Sequence, residues 1–360
     1  MRILFFIDSL GSGGAQRQMV TIAKLYNKNG YNVSFLVYHE HDFFKEDLAD
    51  SGIHIHYCKA DNYLSRILKI RNYIRKNNFD TVISFLETPD FLNCISAIGG
   101  RKWRVITSER SAKEAKFTSR RGKIFGWFRR FSDAIVCNSH NAESIWMKYY
   151  PKYTDKLHVI YNPTILPTIS STYIPKKNGK LNIVVAASYQ YLKNPIGLVK
   201  ALCLLNEDER KNIRIDWYGQ KDVFMWGTKV YDEALKLIID NNLQDSIHLN
   251  EPEKDIAELM NKADIIALFS ELEGLPNAIC EGMMIGKPII MTKVSDYSVL
   301  VEESNGYLCD WDDPCSIKDA LSKAIKLNKA ELILMGENSK SKAERLFSKD
   351  IILSQWNNLL

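Results

Sequence analysis

The chain has 360 residues, of which 46% are hydrophobic and 25% charged, with a formal net charge of +5. It is long enough for two ordinary domains and reads as a globular protein. No apolar run approaches the ~18 residues that a membrane-spanning helix requires, and the seven cysteines form no Cys-x-x-Cys pair, which argues against a zinc site or a disulfide framework and for reduced thiols in a cytoplasmic protein.

Strand-like and helix-like stretches alternate along the whole sequence, the pattern of an α/β protein with parallel sheets. The apolar N-terminus is ended by Asp8 and a glycine-rich loop too early for a signal peptide, so it reads as a buried strand over 2–8. The loop contains Gly11, Gly13 and Gly14 and opens a helix over about 13–29, where backbone amides can approach a phosphate. As a dinucleotide fingerprint it fails, because Gln16 stands at the last glycine position. Strands follow at 32–38, 54–57, 81–85, 104–107, 134–137 and 157–161, with a basic amphipathic helix over 63–77. Residues 1–165 hold 25 Lys and Arg against 15 Asp and Glu, whereas residues 166–360 hold 23 against 28. The excess concentrates between Arg101 and Arg130, eleven basic residues with two acids and five interleaved aromatics, Phe131 following directly, which suits an anionic membrane surface or a pyrophosphate-bearing lipid. No nucleic-acid-binding motif accompanies it, so nucleic acid is not expected as a partner.

Residues 166–180, with Pro167, Pro175 and several Ser and Thr, read as a linker. The pattern restarts with strands at 181–187, 213–218, 246–249 and 264–269, and the tail from about 329 to 360 is helical in pattern. After the apolar run Ile265–Phe269 comes Ser-Glu-Leu-Glu-Gly-Leu-Pro-Asn-Ala-Ile-Cys-Glu, closed by Gly286-Lys287-Pro288. Pro276 or Asn277 can open a short helix there, and Gly286 can close it. Glu273 then lies at the mouth of a strand, Glu281 about one turn into the helix. The helix amides suit phosphate and the carboxylates suit sugar hydroxyls.

This run resembles the Glu-x7-Glu signature of the retaining, nucleotide-sugar-dependent glycosyltransferases of family 4, S-x-x-E-G-x-P-x-x-x-x-E-x-x-x-x-G-x-P, and matches it at every position. The resemblance implies the GT-B fold, two Rossmann-like domains facing across a cleft, here an acceptor domain over 1–165, a linker over 166–180 and a nucleotide-sugar domain over 181–340. It also implies a C-terminal helix over 341–360 that returns to the first domain, with Trp356, Leu359 and Leu360 as anchors. The implied reaction is retaining transfer of a hexose from a nucleoside diphosphate by front-face attack, without cofactor or metal. Lys193 and Glu273 are the implied catalytic pair. Gly13, Gly14, Lys193 and Asn194 would serve the donor's phosphates, Glu273, Gly274, Leu275, Pro276 and Asn277 its sugar, and Glu281 its ribose.

The family commonly places Arg where this chain has Ser188, and Glu where it has Gln16. Its first-domain histidine is replaced after strand 104–107 by Ser-Glu-Arg-Ser, which makes Glu109 and Arg110 candidates for the sugar or the acceptor. Lys113, Arg120 and Arg121 in the basic segment suit a polyprenyl-diphosphate-linked saccharide. Together these expectations describe a bacterial surface-glycan hexosyltransferase, cytoplasmic and peripheral on the inner membrane face, with a UDP-linked N-acetylhexosamine as donor. The alternatives are a nucleotide-sugar epimerase of the same fold, a nicotinamide oxidoreductase, and a non-catalytic nucleotide-binding subunit.

Overall fold

The computed structural model describes every residue except Ala112, Asn178, Phe224 and Met225. The chain forms two compact units, one of Met1–Pro163 with Lys349–Leu360, the other of Thr164–Ser348. In the first unit the strands are β1 (Arg2–Phe6), β2 (Asn32–Val37), β3 (His54–Tyr57), β4 (Thr81–Phe85), β5 (Arg104–Glu109), β6 (Ala134–Cys137) and β7 (Leu157–Val159). They make one parallel sheet in the order β3-β2-β1-β4-β5-β6-β7. Covered on both faces by helices, its central strands are near-continuous apolar runs, and Ile3–Phe6 are fully buried.

The second unit repeats the logic with β8 (Leu181–Ala186), β9 (Ile213–Tyr218), β10 (Ile247–Asn250), β11 (Ile265–Leu268), β12 (Ile289–Thr292) and β13 (Gly306–Cys309). All pairs are parallel, in the order β10-β9-β8-β11-β12-β13. In such sheets a crevice opens beyond the strand carboxyl ends where the winding direction reverses. That point lies between β1 and β4 in the first unit and between β8 and β11 in the second.

One helix the sequence reading passed over is Glu87–Ser96, between β4 and β5. Its polar residues Asp90, Asn93 and Ser96 are buried along with Phe91 and Leu92, so polarity in the sequence does not mark a solvent-facing side. It starts from Leu86, held at φ +76°, a conformation unusual for a side-chain-bearing residue. Asp90 receives bonds from Ser84 Oγ (2.6 Å), Ser108 N (3.3 Å) and Arg129 Nη2 (2.5 Å). Arg129 belongs to the segment expected to face an anionic partner, and instead it is 5% exposed and paired inside the unit.

The stretch 166–180 is not a loose tether. Glu258 accepts from Ser170 N (2.5 Å) and Ser171 N (3.2 Å). The fully buried Asp264 accepts from the Tyr173 hydroxyl (3.0 Å) and from the amides of Lys176 and Asn182 (both 2.8 Å). These bonds make the segment part of the second unit. Beneath it the Lys287 ammonium lies over the Tyr173 ring, 3.1 Å from the centroid, and donates to Asn261 O at 2.5 Å. Burial pushes its pKa down to about 7, with Asp264 pulling the other way. An unfolded lysine titrates near ~10.4, so between about pH 7 and 10 the unfolded chain binds the extra proton and stability climbs with pH. Lys287→Met removes that slope. Urea midpoints at pH 7 and pH 10 should therefore shift in favour of the wild type, relative to the variant, as pH rises.

The long helix Lys329–Phe347 ends within the second unit, and the chain crosses back only at Lys349, later than the expected 341. Helix Lys349–Asn357 then packs on helix Gly14–Lys28. Trp356 is fully buried with its ring stacked on Phe85 at 6.2 Å, and Leu359 is 6% exposed. Trp356→Ala should cost about 3–5 kcal/mol through the cavity it leaves, read as a lower urea midpoint.

Candidate active site

At the switch point of the second sheet two loops leave adjacent strands, one after β8 and one after β11. Tyr189 fixes the first loop from inside, its hydroxyl donating to Trp217 O (3.0 Å) and Asn250 O (2.9 Å). Glu271 N donates to Leu192 O (2.8 Å), which stitches the two loops together. On this frame Lys193 Nζ donates to Glu273 Oε1 at 2.5 Å, and Ser270 Oγ donates to the same oxygen at 2.7 Å. The two side chains are 20% and 12% exposed, so the pair is largely but not wholly withdrawn from water. Residues eighty positions apart thus meet at one point.

The loop Glu273–Pro276 runs into helix Asn277–Ile285. Pro276, not Asn277, holds the capping position and offers no side-chain cap, so the first-turn amides face the loop side of the helix. Gly286 ends the helix at φ +91°, as a left-handed cap. Gly282 lies against β11, and a Cβ there would come within 2.8 Å of Ile266 Cβ. That close approach holds Glu281, partly exposed one residue earlier, at a fixed height above the sheet.

Two residues that the sequence reading missed pin this loop from β12. Thr292 Oγ1 donates to Ser270 O at 2.6 Å, and the Ser295 hydroxyl donates to Gly274 O. Ser295 sits at φ +55°, a left-handed conformation rare for serine, three residues beyond the strand end. A positive φ at a non-glycine residue leaves no trace in the sequence.

Other expected positions serve the fold. Asn194, at φ +62°, caps helix Pro195–Leu204 by accepting from Gly197 N (3.0 Å), and its amide donates to Trp311 O (2.7 Å). Its side chain is thereby committed to local structure, whatever its backbone offers a phosphate. Ser188 accepts from Gln190 Nε2 at 2.8 Å and brings no positive charge to the place where Arg was expected.

In the first unit Gly13 and Gly14 open helix Gly14–Lys28, which has no side-chain cap. Gln16 folds back over Gly13 and donates to Asp8 Oδ1 at 3.1 Å. Glu109, at the end of β5, is 3% exposed. It is bound by Lys116 Nζ, by Ser111 N (3.0 Å) and by Trp146 Nε1 (3.2 Å). It anchors the segment that follows, so contact with an acceptor would first require unpairing it. Arg110 lies 4.3 Å from the centre of the Phe85 ring and donates to Asn162 Oδ1. Burial lowers its pKa to about 10, so it remains cationic at neutral pH. Lys113 and Arg120 are exposed, and Arg121 donates to Thr88 Oγ1 at 2.8 Å.

Two Rossmann-like units, the second with an ion pair and a helix start at its switch point, define the GT-B class of sugar-transferring enzyme. Residues 12–166 match the family model Glycosyltransferase Family 4, and residues 171–342 match the model Glycosyl transferases group 1. The chain belongs to these glycosyltransferases and is a hexosyltransferase. It is 25% identical over 352 residues to the GalNAc-alpha-(1->4)-GalNAc-alpha-(1->3)-diNAcBac-PP-undecaprenol alpha-1,4-N-acetyl-D-galactosaminyltransferase of Campylobacter jejuni, covering 94% of this chain and 90% of that one. A second relative from the same organism is the N-acetylgalactosamine-N,N'-diacetylbacillosaminyl-diphospho-undecaprenol 4-alpha-N-acetylgalactosaminyltransferase. The two chains are 22% identical, covering 90% of this chain and 91% of that one. Among solved structures, HepE of Anabaena in complex with UDP superposes with a TM-score of 0.86, covering 99% of each chain at 18% identity.

Proposed function

We propose that the enzyme moves an N-acetylhexosamine from its UDP derivative to a polyprenyl-diphosphate-linked saccharide with retention of configuration, at the inner face of the bacterial membrane. The carrying observation is the Lys193–Glu273 pair at the switch point of the second sheet, on the loop that runs into helix Asn277–Ile285. When the glycosidic bond breaks, negative charge grows on the departing diphosphate and positive charge on the sugar. Lys193 would turn from Glu273 to the diphosphate, joined by amides at the start of helix Asn277–Ile285. Preorganised donors of this kind are typically the largest catalytic term.

Glu273 already has one oxygen engaged by Lys193 and Ser270. That suits it to hold sugar hydroxyls through the other rather than to attack the anomeric carbon. Glu281 would accept from the ribose hydroxyls. The acceptor hydroxyl would attack the anomeric carbon from the face the diphosphate leaves, passing its proton to the departing diphosphate, in a step written without a metal. Arg110, Lys113, Arg120 and Arg121 would meet the acceptor's diphosphate. The choice of donor and acceptor is supported by the two Campylobacter relatives, which are N-acetylgalactosaminyltransferases of undecaprenyl-diphosphate-linked glycans.

Thermal unfolding with UDP, GDP, ADP and NAD, in chelator, tests the donor. A ligand at 100 times its Kd adds ~2.7 kcal/mol, a rise of several degrees. Stabilisation by UDP alone is expected. A shift with NAD alone overturns the reading, one with another nucleoside diphosphate changes the donor, and UDP binding without turnover marks a non-catalytic subunit.

A further inference from the structure

Helices Tyr63–Lys76, Glu87–Ser96 and Arg120–Phe128 form one layer on the first sheet. Arg71 Nη1 donates to Ile95 O at 2.7 Å, joining the first helix to the second. Phe91 stacks on Phe125 at 4.1 Å, joining the second to the third. The middle helix is mostly buried, so the outer surface belongs to its two neighbours.

Those neighbours share an unusual composition. Helix Tyr63–Lys76 carries five Lys and Arg and no acid, and helix Arg120–Phe128 carries three and no acid. Each also leaves large apolar side chains in water. Leu64 is 66% and Leu68 54% exposed, four residues and about one turn apart. Ile124 is 54% and Trp127 44% exposed, three residues apart on the other helix, and Arg130 lies over the Trp127 ring at 4.8 Å. Single exposed apolar residues are ordinary. Here they come as paired sets on two acid-free helices that flank Glu87–Ser96, with Trp127 only partly covered by Phe128 and Phe131.

We propose that this two-helix face docks the enzyme on an anionic lipid bilayer, with Leu64, Leu68, Ile124 and Trp127 entering the headgroup boundary and the surrounding Lys and Arg meeting lipid phosphates. This deepens the reading of a lipid-linked acceptor given above and adds the helix Tyr63–Lys76, which no part of the transfer reaction uses. Apolar side chains at the acyl boundary with cations around them are what an interfacial helix requires. Each Lys or Arg near an anionic surface adds attraction that salt screens. A protein partner complementary to the face would need a matching acidic rim, whereas a bilayer supplies both chemistries at once.

The test is co-sedimentation of the full chain with phosphatidylcholine vesicles, alone or with about one-third phosphatidylglycerol. The comparison uses the double variants Leu64→Ser/Leu68→Ser and Ile124→Ser/Trp127→Ser. Binding to the anionic vesicles is expected, weakened by salt and at least tenfold lower in each double variant. The melting temperature of Leu64→Ser/Leu68→Ser should match the wild type, since exposed substitutions scarcely alter stability, and that of Ile124→Ser/Trp127→Ser should fall only slightly with the loss of the Trp127 contacts to Phe128 and Phe131. No vesicle binding by the wild type, or equal binding by the variants, overturns the proposal. Concentration-dependent dimerisation lost in the variants without vesicle binding overturns it in favour of a second copy. The UDP-induced melting shift, measured in the same samples, reads the donor site separately. A protein that shows the shift but ignores vesicles defeats only the docking face, and the converse defeats only the transferase assignment of residues.

Discussion

Lys193→Ala should lower kcat by roughly 100- to 1,000-fold, the usual loss when one preorganised donor to a developing anion is removed. In the free enzyme Lys193 is held at 2.5 Å from Glu273, on loops joined by the bond from Glu271 N to Leu192 O. It therefore needs no large rearrangement to reach a diphosphate in the same crevice. The partner substitution separates the two roles. Glu273→Gln keeps the shape and a hydrogen-bond acceptor but removes the charge that competes for Lys193. It should depress transfer while leaving UDP affinity intact or raised, whereas Lys193→Ala should weaken both. Steady-state rates with UDP titrations on both variants give the comparison. Equal loss of UDP affinity in both would mean that the pair acts only as a structural clamp.

Asp90→Ala should lower stability by about 3–5 kcal/mol, roughly a 10 °C fall in the melting temperature. The loss would exceed that of an exposed ion pair because Arg129 would keep its charge with no partner inside the unit. Arg129 is 5% exposed and Asp90 fully buried, with Ser84 and Ser108 completing the carboxylate's bonds. Replacing both at once, Asp90→Leu with Arg129→Met, should recover much of the loss, since buried ion pairs gain little over well-packed apolar groups. A double variant as unstable as the single one would show that the surrounding cavity, not the unpaired charge, sets the cost.

What the sequence disclosed depended on how local the information was. The parallel sheets were legible because a strand buried on both faces must be apolar along its length, as in Ile265–Leu268. The loop and helix after β11 were legible because Pro276 and Gly286 mark its two ends by their own backbone limits. Arg129 was misread because its partner lies 39 residues away, so in sequence it is one more cation in a basic run. The stretch 166–180 looked like a tether because its Pro and Ser content is loop-like. Its attachment depends on Glu258, Asp264 and Lys287, about ninety residues or more downstream. Ser295 and Thr292 were invisible for the same reason, since each acts on a carbonyl about twenty residues upstream.

The return of Lys349–Leu360 to the first unit has a consequence for how the protein is made. Residues of β1 and the helix after it leave the ribosome before the second unit does, yet the helix that packs on them is made only after that unit. Until then the surface that receives Trp356, including the Phe85 ring, stays uncovered. The second unit, contiguous from Thr164 to Ser348, can complete itself while the first is still waiting. Nascent chains stalled shortly before residue 349 should therefore engage holding chaperones through the first unit rather than the more recently made second one, and a fragment ending there should aggregate through the first unit.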